Sequence, residues 1–336
     1  LVILYSTSAY NGQVKFHDSF YYLKKQAFAT VLGIVLMLFV AGMDYHIWQR
    51  LAVFGYLAAV ALSVAVMLFG REINGSKRWL ALGPFSFQPS EFAKVALILF
   101  LADLVTKNVK TIGKMWTLCR IMFWILPIVG LVGASNLSTA IIILGIGVIL
   151  IFVASPKYAQ FALMGLAGAC FMGLFLALES YRLERLAIWR NPEKYEKGYQ
   201  TLQGLYAIGS GGVFGVGLGN SVQKLGFVPE AQNDMIFSII CEELGLAGAG
   251  IIVFLFLLLI WRFFMIASGS RDLFGALIAT GAMAHMMIQV ILNIAVVTNT
   301  IPNTGITLPF ISYGGTSVMF LLIEMGLVLS VSQVVD

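Results

Sequence analysis

Ten apolar runs, each parted from the next by a hydrophilic break, leave this 336-residue chain few ways to satisfy its own backbone. The runs lie near residues 1–9, 26–43, 51–70, 92–106, 120–134, 138–154, 159–179, 235–261, 273–297 and 313–333. Most approach the roughly 20 residues that a helix needs to cross a hydrocarbon core. In lipid only a helix or a closed barrel pairs every backbone N–H and C=O, and runs of this length are too long for barrel strands. An all-α polytopic membrane protein of about ten transmembrane helices is therefore expected, as one membrane domain over 1–336. The opening Leu1-Val2-Ile3-Leu4-Tyr5 is too short to span and reads as the second half of a truncated first helix. Composition agrees, with 60% hydrophobic and 11% charged residues, far from a soluble domain.

The net charge of +5 raises nucleic acid as a partner, but no basic run of five or more exists and the charges lie in breaks between spans. Nucleic acid is excluded on that ground. The three cysteines, Cys119, Cys170 and Cys241, are widely spaced in or beside apolar runs, which provides neither a disulfide framework nor a zinc spacing. Of the 21 Lys and Arg, 13 fall in or beside the odd-numbered breaks. The positive-inside rule would put those breaks in the cytoplasm, whereas an anionic substrate bound outside would put them on the outer face. No fixed-period repeat is visible, so inverted-repeat transporter architecture gains no support.

One stretch concentrates the chemistry. Val228 to Phe237 runs from polar loop into apolar helix through Asp234, and Glu242 and Glu243 follow inside that helix. Ionisable groups at membrane depth are costly and are usually kept for a function. For Asp234 the plain alternative is a helix N-cap, since Asp and Asn are favoured there. The glutamates need buried partners, and a candidate supplier is the polar stripe His285, Gln289 and Asn293, spaced every four residues on the ninth span. That stripe reads first as a structural hydrogen-bond ladder. In the third break, Lys77 and Arg78 precede Ser90, Glu91 and Lys94 at a helix mouth, where Ser90 fits an N-cap and Glu91 and Lys94 share a face. The seventh break, 180–234, is too long for an ordinary connection. It holds Arg182, Arg185 and Gln200, then glycines from Gly204 to Gly219 that suit a phosphate cradle no better than tight packing or re-entry at the interface. The segment from Pro302 to Gly315, with Ser312, reads as a rigid turn over the outer end of the bundle.

Together these motifs resemble the SEDS family (shape, elongation, division and sporulation) of bacterial cell-wall enzymes. The likeness rests on Tyr5-Ser6-Thr7-Ser8, Gly75-Ser76-Lys77-Arg78-Trp79, Phe87-Gln88-Pro89-Ser90-Glu91, Pro229-Glu230 with Asp234-Met235-Ile236-Phe237, Glu242-Glu243-Leu244-Gly245 and Pro309 to Gly315. Arg182-Leu183-Glu184-Arg185, Gly198-Tyr199-Gln200 and Gly219 to Lys224 look closer to the division and sporulation branches than to the elongation branch. Asn136 departs from the pattern, standing where the family usually has a carboxylate. The resemblance implies a multi-pass protein of the bacterial cytoplasmic membrane, at the division septum, that polymerises lipid II into glycan at the outer face. It puts the odd breaks outside. It implies that Asp234 is the general base, that Lys77, Arg78, Lys94, Arg182, Arg185 and Gln200 contact substrate, and that Glu91 orients Lys94. Glu243, His285, Gln289, Asn293 and Ser312 support the site. It admits a divalent cation (Mg or Mn) and no organic cofactor, and it implies a class B penicillin-binding protein and division proteins as partners. A lipid II flippase and a non-catalytic scaffold for a transpeptidase are the competing expectations.

Overall fold

The computed structural model describes residues 1–73, 76–82, 85–162, 165 and 187–334. Arg182, Arg185, Gly75 and most of the expected seventh span, 159–179, lie outside the described residues. What is described is mainly helical: α1 (Val2–Phe16), α2 (Tyr21–Ala41), α3 (Tyr45–Phe69), α4 (Pro89–Asn108), α5 (Met115–Ser135), α6 (Leu137–Ala154), α7 (Tyr199–Gly211), α8 (Ile236–Gly269), α9 (Leu273–Val297) and α10 (Gly315–Ser332). Seven of them (α2, α3, α5, α6, α8, α9 and α10) are long and apolar enough to cross a membrane. Helix α4 has the length but carries Glu91, Lys94, Asp103 and Lys107, which lowers its hydropathy; it is covered by protein over most of its surface.

The chain divides into two compact units. One comprises residues 1–28, 159–258 and 289–314, the other 29–158, 259–288 and 315–336. In the second unit α4 packs against α3 and α6, and Tyr56 stacks on Phe100 with ring centroids 4.2 Å apart. Helix starts follow the chemistry of their caps: Asp44 accepts from the His46 N–H at 2.9 Å to open α3, and Asn136 accepts from the Thr139 N–H at 3.2 Å to open α6. An amide caps as well as a carboxylate, so Asn136 meets the local need of that helix.

Several expectations are corrected. The break 71–91 is not plain loop but a small antiparallel sheet of β1 (Arg71–Ile73), β2 (Ser76–Leu82) and β3 (Phe85–Phe87), in the order β1-β2-β3. Arg71 pairs with Trp79, and Leu80 with Phe87. The fold is thus not purely all-α. Ser90 is not the cap of α4, because Pro89 starts the helix one residue earlier, where a missing N–H costs nothing. Helix α1 continues past Tyr10 to Phe16, since Leu4, Thr7, Ser8 and Gly12 form a buried face at helical spacing. The glycine-rich stretch from Gly204 is helical as far as Gly211, which places α7 inside the supposed loop. A propensity reading misses it because each glycine weakens an isolated helix by about 1 kcal/mol.

Candidate functional site

Asp234 lies in the first unit, in a turn that ends where α8 begins at Ile236. Its backbone is pinned carbonyl by carbonyl. The Gln232 carbonyl accepts from the Tyr313 N–H at 2.8 Å, the Asn233 carbonyl from the Ser312 hydroxyl at 2.7 Å, and the Asp234 carbonyl from the Asn293 amide at 2.8 Å. Ser312 is itself held by the Leu308 N–H at 2.8 Å, and Asn293 also donates to the Ile306 carbonyl at 2.7 Å. Upstream, Glu230 adopts a left-handed φ of 53°, a conformation costly for a residue with a Cβ. The Asn233 side chain donates to Glu230 Oε2 at 2.6 Å and holds that turn. The segment Pro302–Gly315 therefore packs around the Asp234 turn, with Asn293 and Ser312 bonded to its backbone carbonyls.

The Asp234 side chain is 8% exposed. Gln200 Nε2 reaches both carboxylate oxygens at 3.4 Å, and Asn303 reaches Gln200 Oε1 at 3.3 Å. Burial pushes the carboxyl up to about 6, the hydrogen bonds from its own backbone, Gln200 and Met235 pull it down, and the nearby Glu230 charge pushes it up. Helix α8 begins at Ile236, and the Ser238 N–H bonds to the Met235 carbonyl at 3.0 Å, so Met235 rather than Asp234 immediately precedes the first helical residue. A buried carboxyl of pKa near 6 is ionised at neutral pH yet basic enough to take a proton, the balance asked of a general base.

Two turns further along, α8 breaks at Gly245, whose φ of 67° and ψ of −172° suit glycine alone. The segment after α7 docks into the break. Val216 and Gly217 donate to the carbonyls of Glu242 and Glu243 at 2.9 and 3.0 Å, while Leu246 and Ala247 donate to those of Gly212 and Val213 at 3.0 Å each. A Cβ on Gly215 would meet the Glu243 carbonyl oxygen at 2.2 Å, so only a bare backbone fits. Gly211 and Gly215 thus serve close packing against the α8 backbone. The partners of Glu242 and Glu243 also differ from expectation, for they come from Ser6 and the 221–224 turn and not from the stripe on α9. Sequence could not pair them, because 19 residues or more separate the charges from their partners.

In the second unit Glu91 and Lys94 form the expected pair, Nζ to Oε1 at 3.0 Å, with side chains 8% and 2% exposed. Across α9 and α10, His285 Nδ1 lies 2.8 Å from Glu324 Oε2, both buried. Glu324 was missed by sequence reasoning; a lone carboxylate in the middle of the last apolar run was the available signal. Gln289, in the first unit, donates to the Thr307 carbonyl at 3.0 Å. The three side chains of the α9 stripe thus each have a separate partner. Lys77 is exposed on β2, and Arg78 Nε donates to the Ser135 carbonyl at 3.0 Å beside a small cavity of mixed lining that includes Ser63, Val66, Ser90, Leu131 and Asn136. Among the described residues, no three His, Cys, Asp or Glu come together as metal ligands.

The comparisons with known proteins cover the whole chain. The FtsW/RodA/SpoVE family model, described as a cell cycle protein, matches residues 1–336. Stage V sporulation protein E of Bacillus subtilis (strain 168) is 40% identical over 99% of this chain and 93% of its own length. A protein of Geobacter sp. (strain M18) named "Probable peptidoglycan glycosyltransferase FtsW" is 35% identical over 99% of this chain and 92% of its own. Among solved structures, a chain of a peptidoglycan synthase complex that coordinates polymerization and crosslinking superposes with a TM-score of 0.83 at 29% identity, covering 99% of this chain and 95% of that one.

Proposed function

Because this chain belongs to the FtsW/RodA/SpoVE family, we propose that it is a peptidoglycan glycosyltransferase that polymerises lipid II at the outer face of the cytoplasmic membrane, with Asp234 as general base. The acceptor sugar's 4-hydroxyl loses its proton to the Asp234 carboxylate and its oxygen bonds to the donor's anomeric carbon. The bond from that carbon to the lipid pyrophosphate breaks with its electron pair leaving on the phosphate. The donor linkage is α and the polymer β, so a single inverting displacement accounts for the outcome without a covalent glycosyl-enzyme. Cations are needed to stabilise the departing pyrophosphate, and Lys77, Arg78 and Lys94 are the candidates, with Glu91 orienting Lys94 and arginine matching phosphate oxygens with a fixed fork.

The observation that carries this reading is the buried Asp234 carboxyl, pushed up to about 6 and fixed through three successive backbone carbonyls at the mouth of α8. A rate depends on such placement, since the base must lie within hydrogen-bond reach of the proton it takes. The flippase alternative drew on the α9 stripe, and each of its side chains is engaged by a partner in its own unit. We further place the chain in the division branch at the septum, working with a single-span class B penicillin-binding protein. The deciding experiment supplies lipid II to the purified chain with that partner and looks for glycan strands, with Asp234→Asn as the control. Equal yield from the Asn variant removes Asp234 from the mechanism.

A further inference from the structure

Three motifs without a part in the chemistry above meet at one point in the first unit. Ser6 comes from α1, Lys224 from the turn before the Asp234 segment, and Glu243 from α8 just ahead of its break. Lys224 Nζ lies 2.6 Å from Glu243 Oε1 and 3.0 Å from Ser6 Oγ. The Ser6 hydroxyl sits 2.7 and 2.8 Å from the two Glu243 oxygens and can donate its proton to either. Lys224 and Glu243 are 6% and 2% exposed. Beside them Glu242 accepts from the Ser221 hydroxyl and from the Val222 N–H at 3.1 Å, which fixes the turn that carries Lys224.

A buried ion pair is a poor way to gain stability, because desolvation of both charges offsets their attraction; its better-attested use is to fix register. The register at stake here is that of Asp234. The segment Leu225–Met235 is irregular, and its far end runs straight into α8. Its near end is fastened to that same helix only about 10 Å further along, seven residues past Ile236. We infer that Lys224, Glu243 and Ser6 are positioning residues for Asp234: the ion pair closes the Asp234 segment into a loop whose two ends are both anchored on α8. A shift of about 1 Å in a reacting group can cost on the order of 100-fold in rate.

The inference rests on the glycosyltransferase reading for its kinetic arm, and a second arm stands without it. The double variant Lys224→Met/Glu243→Gln removes both charges at nearly constant volume, so neither is left buried alone. In a lipid II assay with the purified full chain and its partner, kcat of this variant falls about tenfold or more while KM stays within about twofold. Ser6→Ala, a smaller change that keeps the ion pair, lowers kcat about threefold and carries the test if the double variant does not fold. In parallel, hydrogen exchange at the Val228 and Asn233 amides, which bond to Gln223 and Glu230, accelerates about tenfold in the variants, while α4 amides do not change. Wild-type kcat in a folded variant, or a loss confined to KM, overturns the inference. So does unchanged exchange across 225–235, whatever the activity. A wild-type chain that makes no glycan, with exchange still accelerated in the variants, would instead overturn the glycosyltransferase reading and leave the anchoring role standing.

Discussion

The unit that carries Asp234 sets its buried carboxylates at irregular backbone: Glu242 and Glu243 are answered by the 221–224 turn, and Asp234 stands in a turn whose own carbonyl accepts from Asn293 while its carboxylate accepts from the Gln200 amide. In the other unit the buried charges stand on regular helices. Glu91 and Lys94 pair one turn apart, Asp103 pairs with Lys107 at 2.6 Å, and His285 meets Glu324 between two helices. A helix holds a charge pair by its own periodicity, and the pair survives small shifts of its neighbours. Irregular backbone has no such period, so each bond must be supplied by a distant segment, and the geometry obtained is more specific and more easily lost. Chemistry that depends on one carboxylate is better served by the second arrangement, and supporting charge networks by the first.

That contrast breaks most plainly at Asp234. Asp234→Asn keeps the shape of the side chain and removes the base, so polymerisation falls about 10²–10⁴-fold with folding intact; glycan formation by the purified variant beside a thermal melt measures both. Next in size is the helical pair. Glu91→Gln or Lys94→Met alone breaks a buried ion pair and costs about 3–5 kcal/mol of stability, whereas the double substitution costs much less. Losses that add strictly in a double-mutant cycle would show the two side chains acting separately.

A smaller effect separates irregular from regular backbone. Gly245→Ala forces a Cβ to within 2.4 Å of the Gly215 nitrogen and the Val213 carbonyl oxygen at a left-handed φ. It destabilises the protein by about 1–3 kcal/mol. Gly130→Ala, in the regular helix α5 with nothing within 4 Å of the new Cβ, leaves stability unchanged or raises it by up to about 1 kcal/mol. Parallel melting curves decide whether the broken helix is the sensitive one. Smallest is the response to pH. The working form of Asp234 is the carboxylate, so kcat rises with pH through a midpoint near 6 and falls below it. A midpoint near 4, the range of an ordinary exposed aspartate, would mean that Asp234 is solvated in the working enzyme.

Legibility followed the same division. The pair Glu91 and Lys94 was readable because three residues on a helix fix the distance between them. Asp234 stood out because a lone carboxylate at the edge of an apolar run has few structural uses. Lys224 did not stand out, since nothing local links it to Glu243 or to Ser6, 218 residues away. The strands of the 71–87 sheet were hidden for another reason: β1 and β3 are three residues each, too short for a period of two to register.

Amino-acid sequence by itself determined seven helices, among the described residues, that are long and apolar enough to span, because length and apolarity are local properties and lipid leaves the backbone no alternative but to pair with itself. It also determined which carboxylate stands at the mouth of α8. Tertiary structure decided the rest: where α8 breaks, which glycines come into contact with backbone, and which cation answers which buried glutamate. Those outcomes depend on bonds between segments far apart in the chain, and such bonds form only once packing has excluded water and made an unpaired charge too costly to leave.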